Sequence, residues 1–360
     1  MADPKTILFV GTGKGAFVLN KNSGGWEMNG PYFAGRSVYS MMLDTRGGRN
    51  RLWAAAQSMH WGAELVRSDD RGATWDTPEE MRIKFPEDTG AALENIWQIT
   101  AGTEDDNTLY CGTAPAALFK STDGGETWSL VRGLWDHPHR EKWMPGFGGL
   151  CLHTIITDDE NPKRMRIAVS SAGTYQTDDG GESWTSTNTG IKAYFMPDQY
   201  PEFGQCVHKI ARHPGKKETL FLQNHHGVYR SRDDGGTWQE IENGLPSNFG
   251  FGVVATKPGD VFIVPLQADA VRFTCEGKLR VYRTRDEGEN WEPLTNGLPQ
   301  ENAYEVILRD ALAADDSEIG GVYFGTRNGK LYGSSDNGDS WEQIQNALPE
   351  ILCVKAYTTT

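Results

Sequence analysis

The stretch Ser121-Thr-Asp-Gly-Gly-Glu-Thr-Trp128 occurs, with small changes, throughout the chain. Its pattern is Ser/Thr-x-Asp-x-Gly-x-Ser/Thr-Trp, in which x is any residue. Further copies lie at residues 68–75, 177–184, 231–238 and 334–341, and at 284–291 with Asn290 in the second Ser/Thr position. Residues 20–26 form a degenerate copy that keeps Gly24, Gly25 and Trp26 but lacks the aspartate.

Each copy predicts a tight turn that closes a β-hairpin. Asp and Ser/Thr side chains form hydrogen bonds with backbone amides in such turns, and glycine adopts the positive φ that they require. The tryptophan begins the next strand, where we expect its ring to pack against the core. The motif is therefore predicted to shape the fold.

The tryptophans of these copies recur at a nearly constant interval. They occupy positions 26, 75, 128, 184, 238, 291 and 341, so neighbouring copies are 49 to 56 residues apart. A period near 50 residues with short strand-like segments indicates a β-propeller, in which each repeat, or blade, is a sheet of four strands, A to D. We therefore predict an all-β fold, a seven-bladed β-propeller in which residues 1–360 form a single domain.

The two ends of the chain predict how the ring closes. The first strand-like segment, residues 6–10, corresponds to strand B of a blade, and residues 351–357 are left over after the last repeat. Pairing the N-terminal strands B to D with this C-terminal strand A completes a sheet and removes an exposed edge.

Composition narrows the classes of partner and compartment. Lys and Arg number 35 against 49 Asp and Glu, which gives a net charge of −14 and argues against a nucleic-acid or anionic-membrane surface. No signal peptide and no run of about 18 apolar residues is visible. The cysteines are unpaired in sequence and odd in number, which suits thiols in a reducing compartment. They are Cys111, Cys151, Cys206, Cys275 and Cys353. We therefore predict a cytoplasmic protein.

All eight histidines lie between residues 60 and 226, mostly in predicted connections between strands. In a propeller the D-to-A and B-to-C connections share one face, opposite the repeated turns, and we expect a ligand there. Two long D-to-A loops, 134–149 and 188–204, and an extended B-to-C connection, 266–278, strengthen this expectation because long loops in compact repeats are usually functional. The candidate ligand-binding residues of this face, from these three loops and from two further B-to-C connections, are His60, Trp61, His137, His139, Arg140, Trp143, Tyr194, His225, His226 and Arg272. The alternative is that these side chains only anchor their loops.

The predicted innermost strands, strands A, supply a second set of candidates. Aligned by hydrophobic pattern, their third positions are Ser40, Gln98, His153, His208, Gly252, Glu305 and Lys355. Polar residues in six of seven blades predict a wet central channel, in which Gln98 and Lys355 contact a ligand. His153, His208 and Glu305 are candidate catalytic residues, since imidazole is tunable near neutral pH, and candidate ligands of a divalent metal. A solvated polar lining without a ligand is the alternative.

The repeats, together with Asn-Gly-Leu-Pro at residues 243–246 and 296–299, resemble the Asp-box, or bacterial neuraminidase, repeat superfamily. The chain looks similar to its seven-bladed members, the photosystem II assembly-factor propellers and the propellers of xyloglucan-degrading glycosidases. The resemblance covers nearly the whole chain. It implies the fold and no single activity, because Asp-boxes occur in enzymes and in non-enzymes.

The resemblance also implies limits on activity. A sialidase would carry an arginine triad that begins with Arg-Ile-Pro, whereas Arg82-Ile83 is followed by Lys84. The xyloglucan-degrading enzymes place paired aspartates in a cleft between two propellers, which one propeller cannot form. A photosystem assembly role would imply a lumenal signal peptide and a basic patch, and the sequence shows neither.

Two hypotheses follow from different classes of protein. The first is a glycosidase-like hydrolase or lyase that acts on a small polar or carbohydrate-like molecule at the channel mouth, with or without a divalent metal. The second is a non-enzymatic scaffold whose loops bind a protein partner. The clustering of the histidines favours the first.

Overall fold

The computed structural model of the protein describes residues 5–58, 60, 62–76, 82–268 and 270–359. In these residues the chain forms seven antiparallel sheets, which are the blades of a seven-bladed β-propeller. The predicted fold class is therefore confirmed. Helical structure in the described part is limited to single turns, namely α1 (Arg132–Trp135) and 3-10 turns at Arg46–Gly48, Glu87–Thr89, Arg140–Lys142 and Cys275–Gly277.

The chain divides into two compact units, and each is described by itself. Unit 1 comprises Met1–Gly35, Thr189–Tyr200 and His208–Thr360, and unit 2 comprises Arg36–Asn188 and Pro201–Val207. That residues 1–360 form one domain stays a prediction.

Unit 1 holds four sheets of four strands. The first sheet has the order β27-β1-β2-β3, from β1 (Lys5–Thr12), β2 (Gly15–Asn22), β3 (Gly25–Tyr32) and β27 (Ile351–Thr359). The other three follow chain order and contain β15 (Val207–His213), β16 (Lys216–Asn224), β17 (Val228–Ser231), β18 (Gln239–Glu240), β19 (Val253–Ala255), β20 (Val261–Ile263), β21 (Val281–Thr284), β22 (Glu292–Leu294), β23 (Leu312–Ala314), β24 (Val322–Gly325), β25 (Leu331–Ser334) and β26 (Glu342–Gln345).

Unit 2 holds the remaining three sheets. Among the described residues one of them has three strands and two have four. Their strands are β4 (Ser37–Asp44), β5 (Arg51–Ser58), β6 (Gly62–Ser68), β7 (Asn95–Ala101), β8 (Leu109–Ala114), β9 (Leu118–Ser121), β10 (Ser129–Leu130), β11 (Leu152–Thr157), β12 (Met165–Val169), β13 (Gly173–Thr177) and β14 (Thr185–Ser186).

The N- and C-terminal strands close a sheet together. β27 pairs antiparallel with β1 and places Ala356 opposite Leu8 and Val354 opposite Val10. All four side chains are buried in the unit 1 core. This pairing confirms the closure that the unequal chain ends predict, and it covers the edge of β1 that would otherwise be exposed.

The repeated turn has the predicted hydrogen bonds. In the copy at 121–128, the Ser121 hydroxyl accepts the Gly125 amide at 2.9 Å, and Asp123 Oδ1 accepts the Thr127 amide at 3.0 Å. Gly125 has φ of +90°, and a Cβ on it would lie 2.4 Å from the Trp53 ring. Glycine is thus needed here both for the backbone conformation and for the close approach of an indole.

The other copies use the same contacts, and their tryptophans pack as expected. The aspartates at 70, 179, 233, 286 and 336 each accept the amide four residues later. The side chains of Trp184, Trp238, Trp291 and Trp341 are buried. A hydrogen bond from the Ser68 hydroxyl, aided by the Thr74 amide and hydroxyl, lowers the pKa of Asp70 to about 2. The aspartates therefore act as turn-forming acceptors.

Two inner strands lie later in the chain than their hydrophobic pattern predicts, since Gly252, the third position predicted for the fifth, lies just before β19, which begins at Val253. The sixth is displaced further. The alignment places the sixth strand A at residues 303–305, but β23 begins at Leu312 and is preceded by a parallel bridge from Asp310 to Cys353. Ala303 and Ile307 are buried in the unit 1 core from an irregular segment. Their spacing therefore resembles that of a strand although no strand forms there.

Two general expectations can be compared with the structure. All five cysteines are among the described residues, and none of them forms a disulfide. No helix in the described part of the chain has the length and apolar character needed to span a bilayer.

Candidate functional site

His153, a predicted catalytic residue and metal ligand, lies on β11 in unit 2 and is fully buried. Its Nδ1 is 3.0 Å from the Thr154 hydroxyl and its Nε2 is 3.0 Å from the Val207 carbonyl oxygen. Because a carbonyl oxygen only accepts, Nε2 carries the proton. A metal ion at Nδ1 would have to displace the Thr154 hydroxyl, so the roles predicted for His153 stay predictions without support from these contacts.

Glu305, the predicted carboxylate of the same set, is buried in unit 1. Its Oε1 lies 2.7 Å from the Lys330 ammonium, and its Oε2 accepts a hydrogen bond of 3.0 Å from Asn328. The residue lies outside β23, in the irregular segment before it. Its carboxylate is thus balanced by protein groups, and catalytic or metal-binding use would require breaking the ion pair. That use also stays a prediction.

Three other candidates belong to the sequence of unit 2, and the structure describes two of them, His60 and Gln98. His60 is exposed, and its amide donates to the Ser58 hydroxyl. Gln98 lies on β7 and donates from Nε2 to the Thr100 hydroxyl at 3.1 Å and to the Ile99 carbonyl. Trp61 lies outside the described residues. Ligand binding by these three stays a prediction.

The predicted loop residues His137, His139 and Trp143 come together in unit 2. With Tyr175 and Phe203 they form what we call the unit 2 cluster. The rings of His137 and His139 are 4.6 Å apart, and His139 stacks on Phe203 at 4.2 Å. The indole of buried Trp143 donates to the Tyr175 hydroxyl at 2.9 Å. The sequence analysis did not identify Tyr175, which lies on β13, far from the loop in sequence.

Hydrogen bonds fix the imidazoles of the unit 2 cluster. His137 Nε2 lies 3.2 Å from the Trp184 carbonyl oxygen, and its Nδ1 accepts the His139 amide at 3.1 Å. Burial, with the nearby His139, holds the pKa of His137 below its usual value. Arg140, also predicted as a ligand contact, places its guanidinium 3.3 Å from the centre of the Trp135 ring, a cation–π contact. These contacts are those of a loop anchored to its own unit.

A second set of predicted residues comes together in unit 1. Tyr194, His208, His225 and His226, with Phe249 and Phe251, form what we call the unit 1 cluster. The ring centres are 5.4 Å apart for Tyr194 and His226, 4.7 Å for His226 and His225, and 5.5 Å for His225 and His208. The contacts therefore continue without a gap from the 189–200 segment, through the B-to-C connection after β16, to the start of β15.

His208 is the buried end of the unit 1 cluster. Its ring stacks on Phe251 with 4.9 Å between centres, and its Nδ1 donates to the Gly250 carbonyl oxygen at 2.6 Å. Burial, reinforced by the positive charge of Arg309, holds the pKa of His208 well below its usual value. The imidazole is therefore neutral at pH 7, with its proton on Nδ1.

The opposite end of the unit 1 cluster is accessible. Tyr194 is 45% exposed, and His225 and His226 are half-buried. The long connection between β20 and β21 brings the guanidinium of Arg272 to 5.8 Å from the centre of the Phe249 ring. Thus three predicted ligand-binding residues and one predicted catalytic residue form one set of neighbouring rings, and the guanidinium of a fourth ligand-binding candidate lies beside it. The sequence analysis omitted Phe249 and Phe251, although their positions just before β19 are where D-to-A loops end.

Lys355 lies elsewhere in unit 1, in a cavity lined by β15, β19, β23 and β27. Its ammonium is 3.7 Å from Asp310 Oδ1, which also pairs with Lys209 at 2.6 Å. The sequence analysis missed Asp310 and Lys209. Placing the sixth inner strand directly after Arg309, rather than at residues 303–305, would have brought Asp310 next to Cys353 and so near Lys355.

Comparison with known proteins adds a family motif and distant relatives. Residues 119–130 match the BNR/Asp-box repeat. The chain is 26% identical over 221 residues to a probable oligoxyloglucan-reducing end-specific xyloglucanase of Neosartorya fischeri, a match that covers 53% of this chain and 25% of the relative. It is also 26% identical over 261 residues to a xyloglucanase of Hypocrea jecorina, which covers 64% of this chain and 29% of that protein. The matches thus span less than a third of each relative.

Two solved structures share the fold at low identity. An ancestral GH74 enzyme superposes with a TM-score of 0.58 at 18% identity, over 86% of this chain and 38% of its own. YCF48, solved bound to D1 peptide, superposes with a TM-score of 0.54 at 16% identity, over 86% of this chain and 82% of its own. The resemblance drawn from the repeats is confirmed: the chain carries Asp-box repeats on a seven-bladed β-propeller that is related at low identity to GH74 xyloglucanases.

Proposed function

We propose that the protein is a glycosidase-like hydrolase or lyase that binds a small polar, carbohydrate-like molecule on the unit 1 cluster. The observation that carries this proposal is the continuous series of rings from exposed Tyr194 to buried, neutral His208. Sites for small molecules combine apolar and aromatic walls with a few polar groups that fix orientation. The unit 1 cluster has both.

The chemistry of the rings suits a molecule with several hydroxyl groups. The exposed ring of Tyr194 offers apolar surface to the C–H groups of a sugar ring. The imidazoles of His225 and His226 each offer one donor and one acceptor when neutral, which matches hydroxyl groups that also do both. Arg272 adds a permanent positive charge at the same place.

His208 is the proposed proton acceptor. Its neutral imidazole carries the Nδ1 proton toward the Gly250 carbonyl oxygen, so the lone pair is on Nε2, the nitrogen that would take a proton from water or substrate. Acid–base catalysis by histidine differs from the carboxylate pair that most glycoside hydrolases use. The proposal therefore predicts a reaction that depends on imidazole groups.

The relatives suggest which carbohydrates to test first. Both curated relatives are named as xyloglucanases, so xyloglucan oligosaccharides head the list, followed by cello-oligosaccharides and uronic-acid oligosaccharides. Because the chain matches only about a quarter of the length of those relatives, binding and hydrolysis are tested separately.

Calorimetric titration with each of these oligosaccharides measures binding. Release of reducing ends measures hydrolysis, and release of unsaturated product measures elimination. We expect at least one member to bind and to be cleaved, and cleavage to be lost in His208→Gln. His213→Gln is the matched control, since His213 ends the same strand and packs on Phe221 outside the cluster. Binding without cleavage would contradict the enzymatic part of the proposal. Absence of both would contradict the whole.

We propose that the reaction proceeds without a metal ion, although donor atoms of His208 and His225 lie within 4.8 Å of one another, close enough for both to bind one. His153 and Glu305, two members of the predicted metal set, hold hydrogen-bonding and ionic partners within their own units. We expect elemental analysis of the purified protein to find less than one divalent ion per chain, and a chelator to leave cleavage unchanged. A stoichiometric ion whose removal abolishes cleavage would contradict this part.

A protein-binding function is the second candidate, supported by exposed side chains. Phe195 and Tyr200 are more than half exposed and lie with Tyr194 on one short segment. Exposed aromatic residues grouped in this way are typical of interaction surfaces. Selection of peptides from a random library tests this function. A selected peptide that binds the wild type and loses affinity in Phe195→Ser would support it, and failure to select any peptide would argue against it.

We also propose a cytoplasmic location. Its support is the absence of any disulfide among the five cysteines, which agrees with a reducing compartment.

A further inference from the structure

The side chains of the unit 1 cluster suit one of the two proposed reactions better than the other. Hydrolysis by most glycosidases uses a pair of carboxylic acids that flank the scissile bond. The cluster consists of one tyrosine, three histidines and two phenylalanines, and none of these members is a carboxylic acid. Elimination instead needs a base and a group that stabilises developing negative charge, and imidazole and guanidinium groups supply these two functions.

Arg272 lies beside the histidines of the cluster. Its guanidinium carbon is 5.8 Å from the centre of the Phe249 ring. The same ring centre is 5.0 Å from that of His225 and 5.9 Å from that of His208. One phenylalanine ring thus neighbours the guanidinium and both imidazoles, so an anionic group held by Arg272 would lie close to the histidines.

The backbone around Arg272 is ordered by hydrogen bonds. Bridges join Leu266 to Phe249 on one side and to Thr274 on the other, and the Arg272 amide donates to the Gln267 carbonyl oxygen at 3.1 Å. Arg272 has φ of +49°, in the left-handed region that a long side chain rarely adopts. Such conformations persist where the surrounding structure holds them, often at binding sites. The guanidinium is therefore presented by a fixed segment.

The charges that act most strongly on His208 are positive. Burial is the first cause of its lowered pKa, and the charges of Arg309 and Arg272 lower that pKa further. Of the described acidic side chains, none is among the principal influences on it. At the exposed end of the cluster, the Glu240 carboxylate is balanced by the Lys192 ammonium at 2.8 Å. An anion next to His208 would therefore be attracted by both arginines.

We infer that the unit 1 cluster binds a uronate, a sugar whose carbon 5 carries a carboxylate, and cleaves 4-linked uronate chains by β-elimination. The inference rests on the proposed function and specifies its substrate class and its reaction. Arg272 pairs with the carboxylate, and His208 is the base that removes the proton from carbon 5.

The atoms and electrons of this reaction balance without a co-reactant. Nε2 of His208 takes the proton from carbon 5, and the electrons of that C–H bond form a double bond between carbons 4 and 5. The bond between carbon 4 and the glycosidic oxygen breaks. The leaving oxygen takes a proton from water, and His208 returns its own proton to water. The products are one chain that begins with an unsaturated uronate and one that ends in a new reducing end.

The charge of Arg272 acts on the transition state. Removal of the proton from carbon 5 moves negative charge onto the neighbouring carboxylate, and a guanidinium can donate two parallel hydrogen bonds to its two oxygens. A neutral sugar has no carbonyl group beside carbon 5, so a base cannot remove that proton. The methyl ester of a uronate keeps the carbonyl group but lacks the negative charge that pairs with Arg272.

Tetrasaccharides of similar size separate these requirements. Tetragalacturonate and tetramannuronate are 4-linked and charged, methyl-esterified tetragalacturonate is uncharged, and cellotetraose has no carboxyl group. Ultraviolet absorbance measures the unsaturated product, and a reducing-sugar assay measures all cleavage. We expect at least one uronate to yield unsaturated product, at least about tenfold faster than the methyl ester does, and cellotetraose to yield none. No unsaturated product from either uronate, or equal rates for acid and ester, would overturn the inference.

Failure of this inference can be distinguished from failure of the proposed function. Reducing ends released from cellotetraose or a xyloglucan oligosaccharide, with no unsaturated product from either uronate, would overturn the inference alone. Reducing ends released from a uronate without ultraviolet absorbance would show hydrolysis and would have the same consequence. Absence of binding and cleavage for every oligosaccharide would overturn both.

Two variants of Arg272 test its role. In Arg272→Met the ratio of the rate on the uronate to the rate on its methyl ester should fall to about twofold or less, because the charge is gone. Arg272→Lys keeps a positive charge and should keep a ratio above that of Arg272→Met. Arg232→Met is the matched control, since Arg232 is an arginine of unit 1 that is 57% exposed and pairs with Glu287 at 3.1 Å. It should keep the wild-type ratio.

The ratio assigns the role of Arg272 even if a variant is unstable. A loss of folded protein lowers the rates on acid and ester together and leaves their ratio unchanged. A wild-type ratio in Arg272→Met would therefore show that Arg272 does not bind the carboxylate and would overturn the inference. A reduced ratio in Arg272→Met with the wild-type ratio in Arg232→Met would support it.

Discussion

The two histidine clusters are built from similar residues and differ in how far their rings reach the surface. In the unit 2 cluster, His137 has a partner at each ring nitrogen, and Trp143 and Tyr175 share a hydrogen bond. In the unit 1 cluster, the contacts that link the histidines to one another are edge-to-face contacts between rings, and they end at exposed Tyr194. The first arrangement fixes a loop, whereas the second leaves ring faces at the surface.

The difference shows why residue type alone does not identify a site. Both clusters combine histidine and aromatic residues and include side chains from a long loop, and the sequence analysis treated them alike. What separates them is exposure, since Trp143 is buried and Tyr194 is 45% exposed, whereas one histidine in each cluster donates to a backbone carbonyl oxygen, that of Trp184 or that of Gly250. Backbone carbonyl groups carry no signature in the sequence. The comparison therefore predicts that changes in the unit 2 cluster alter stability and changes in the unit 1 cluster alter binding.

The largest effect is expected for Trp143→Ala in the unit 2 cluster. Trp143 is buried, contacts the core of unit 2, and donates to Tyr175. Removing a buried tryptophan typically lowers the free energy of unfolding by about 3–5 kcal/mol. Urea denaturation, monitored by circular dichroism, measures this loss of free energy of unfolding. We expect carbohydrate binding by the folded variant to be unchanged.

The neighbouring residue gives the control for this prediction. Met144 is 70% exposed, so Met144→Ala should change the free energy of unfolding by no more than about 0.5 kcal/mol. If Trp143→Ala cost as little as Met144→Ala, the unit 2 cluster would not anchor its loop, and its histidines would again be candidates for a ligand site.

A smaller and pH-dependent effect is expected from His208. Because burial and Arg309 hold its pKa well below 6.5, the unfolded chain takes up this proton at a higher pH than the folded chain. The free energy of unfolding is therefore unaffected above about pH 6.5 and falls below it, by at most about 1.4 kcal/mol per pH unit for this residue. Urea denaturation between about pH 7.5 and 5 should show a shallower fall for His208→Gln than for the wild type.

The exposed His60 supplies the matched substitution for the pH series. His60→Gln removes one imidazole without removing a buried one, and it should keep the pH dependence of the wild type. If His208→Gln also kept it, the imidazole of His208 would not be held neutral by the fold. Its proposed role as a proton acceptor would then lose its physical basis.

An effect on binding alone is expected at the exposed end of the unit 1 cluster. Tyr194→Ala removes the ring that contacts His226 and should weaken carbohydrate binding about tenfold, or about 1.4 kcal/mol. Because Tyr194 is 45% exposed, the free energy of unfolding of the Tyr194→Ala variant should stay within about 0.5 kcal/mol of the wild-type value. Calorimetric titration with the carbohydrate that binds the wild type measures the change.

Tyr200→Ala is the control for Tyr194→Ala. Tyr200 is 55% exposed and lies on the same segment, but it is not part of the unit 1 cluster. It should bind the carbohydrate like the wild type. Equal weakening by both variants would assign the effect to the loop as a whole, and weakening by Tyr200→Ala alone would move the site away from the cluster.

Most of the fold was predictable because its determinants are local. Each Asp-box turn is specified within eight residues, since Ser121, Asp123, Gly125 and Thr127 bond to one another. Repetition then sets the period, and the unequal chain ends indicate the closing strand. The sixth inner strand, the one displaced furthest, was misplaced because apolar residues at 303–307 are buried without forming a ladder.

The candidate sites were predictable only in part because their determinants are distant in sequence. Tyr194 and His226 meet from separate connections, and Lys209 and Asp310 are about a hundred residues apart. Loop length and histidine clustering identify such residues as candidates. They do not reveal that the Glu305 carboxylate pairs with the Lys330 ammonium, or that one oxygen of Asp310 has no donor among the described residues, since both depend on tertiary packing.

The smallest effect is expected for His60→Ala, which belongs to neither cluster. Its side chain is exposed, and the contact described for it uses the backbone amide, which alanine keeps. The free energy of unfolding should therefore change by no more than about 0.5 kcal/mol, and the affinity for carbohydrate by less than about twofold. Denaturation and calorimetric titration measure both quantities. A tenfold loss of affinity would show that a histidine without ring neighbours contributes to binding, and the distinction between anchored and ligand-facing clusters would then fail as a guide to function in this protein.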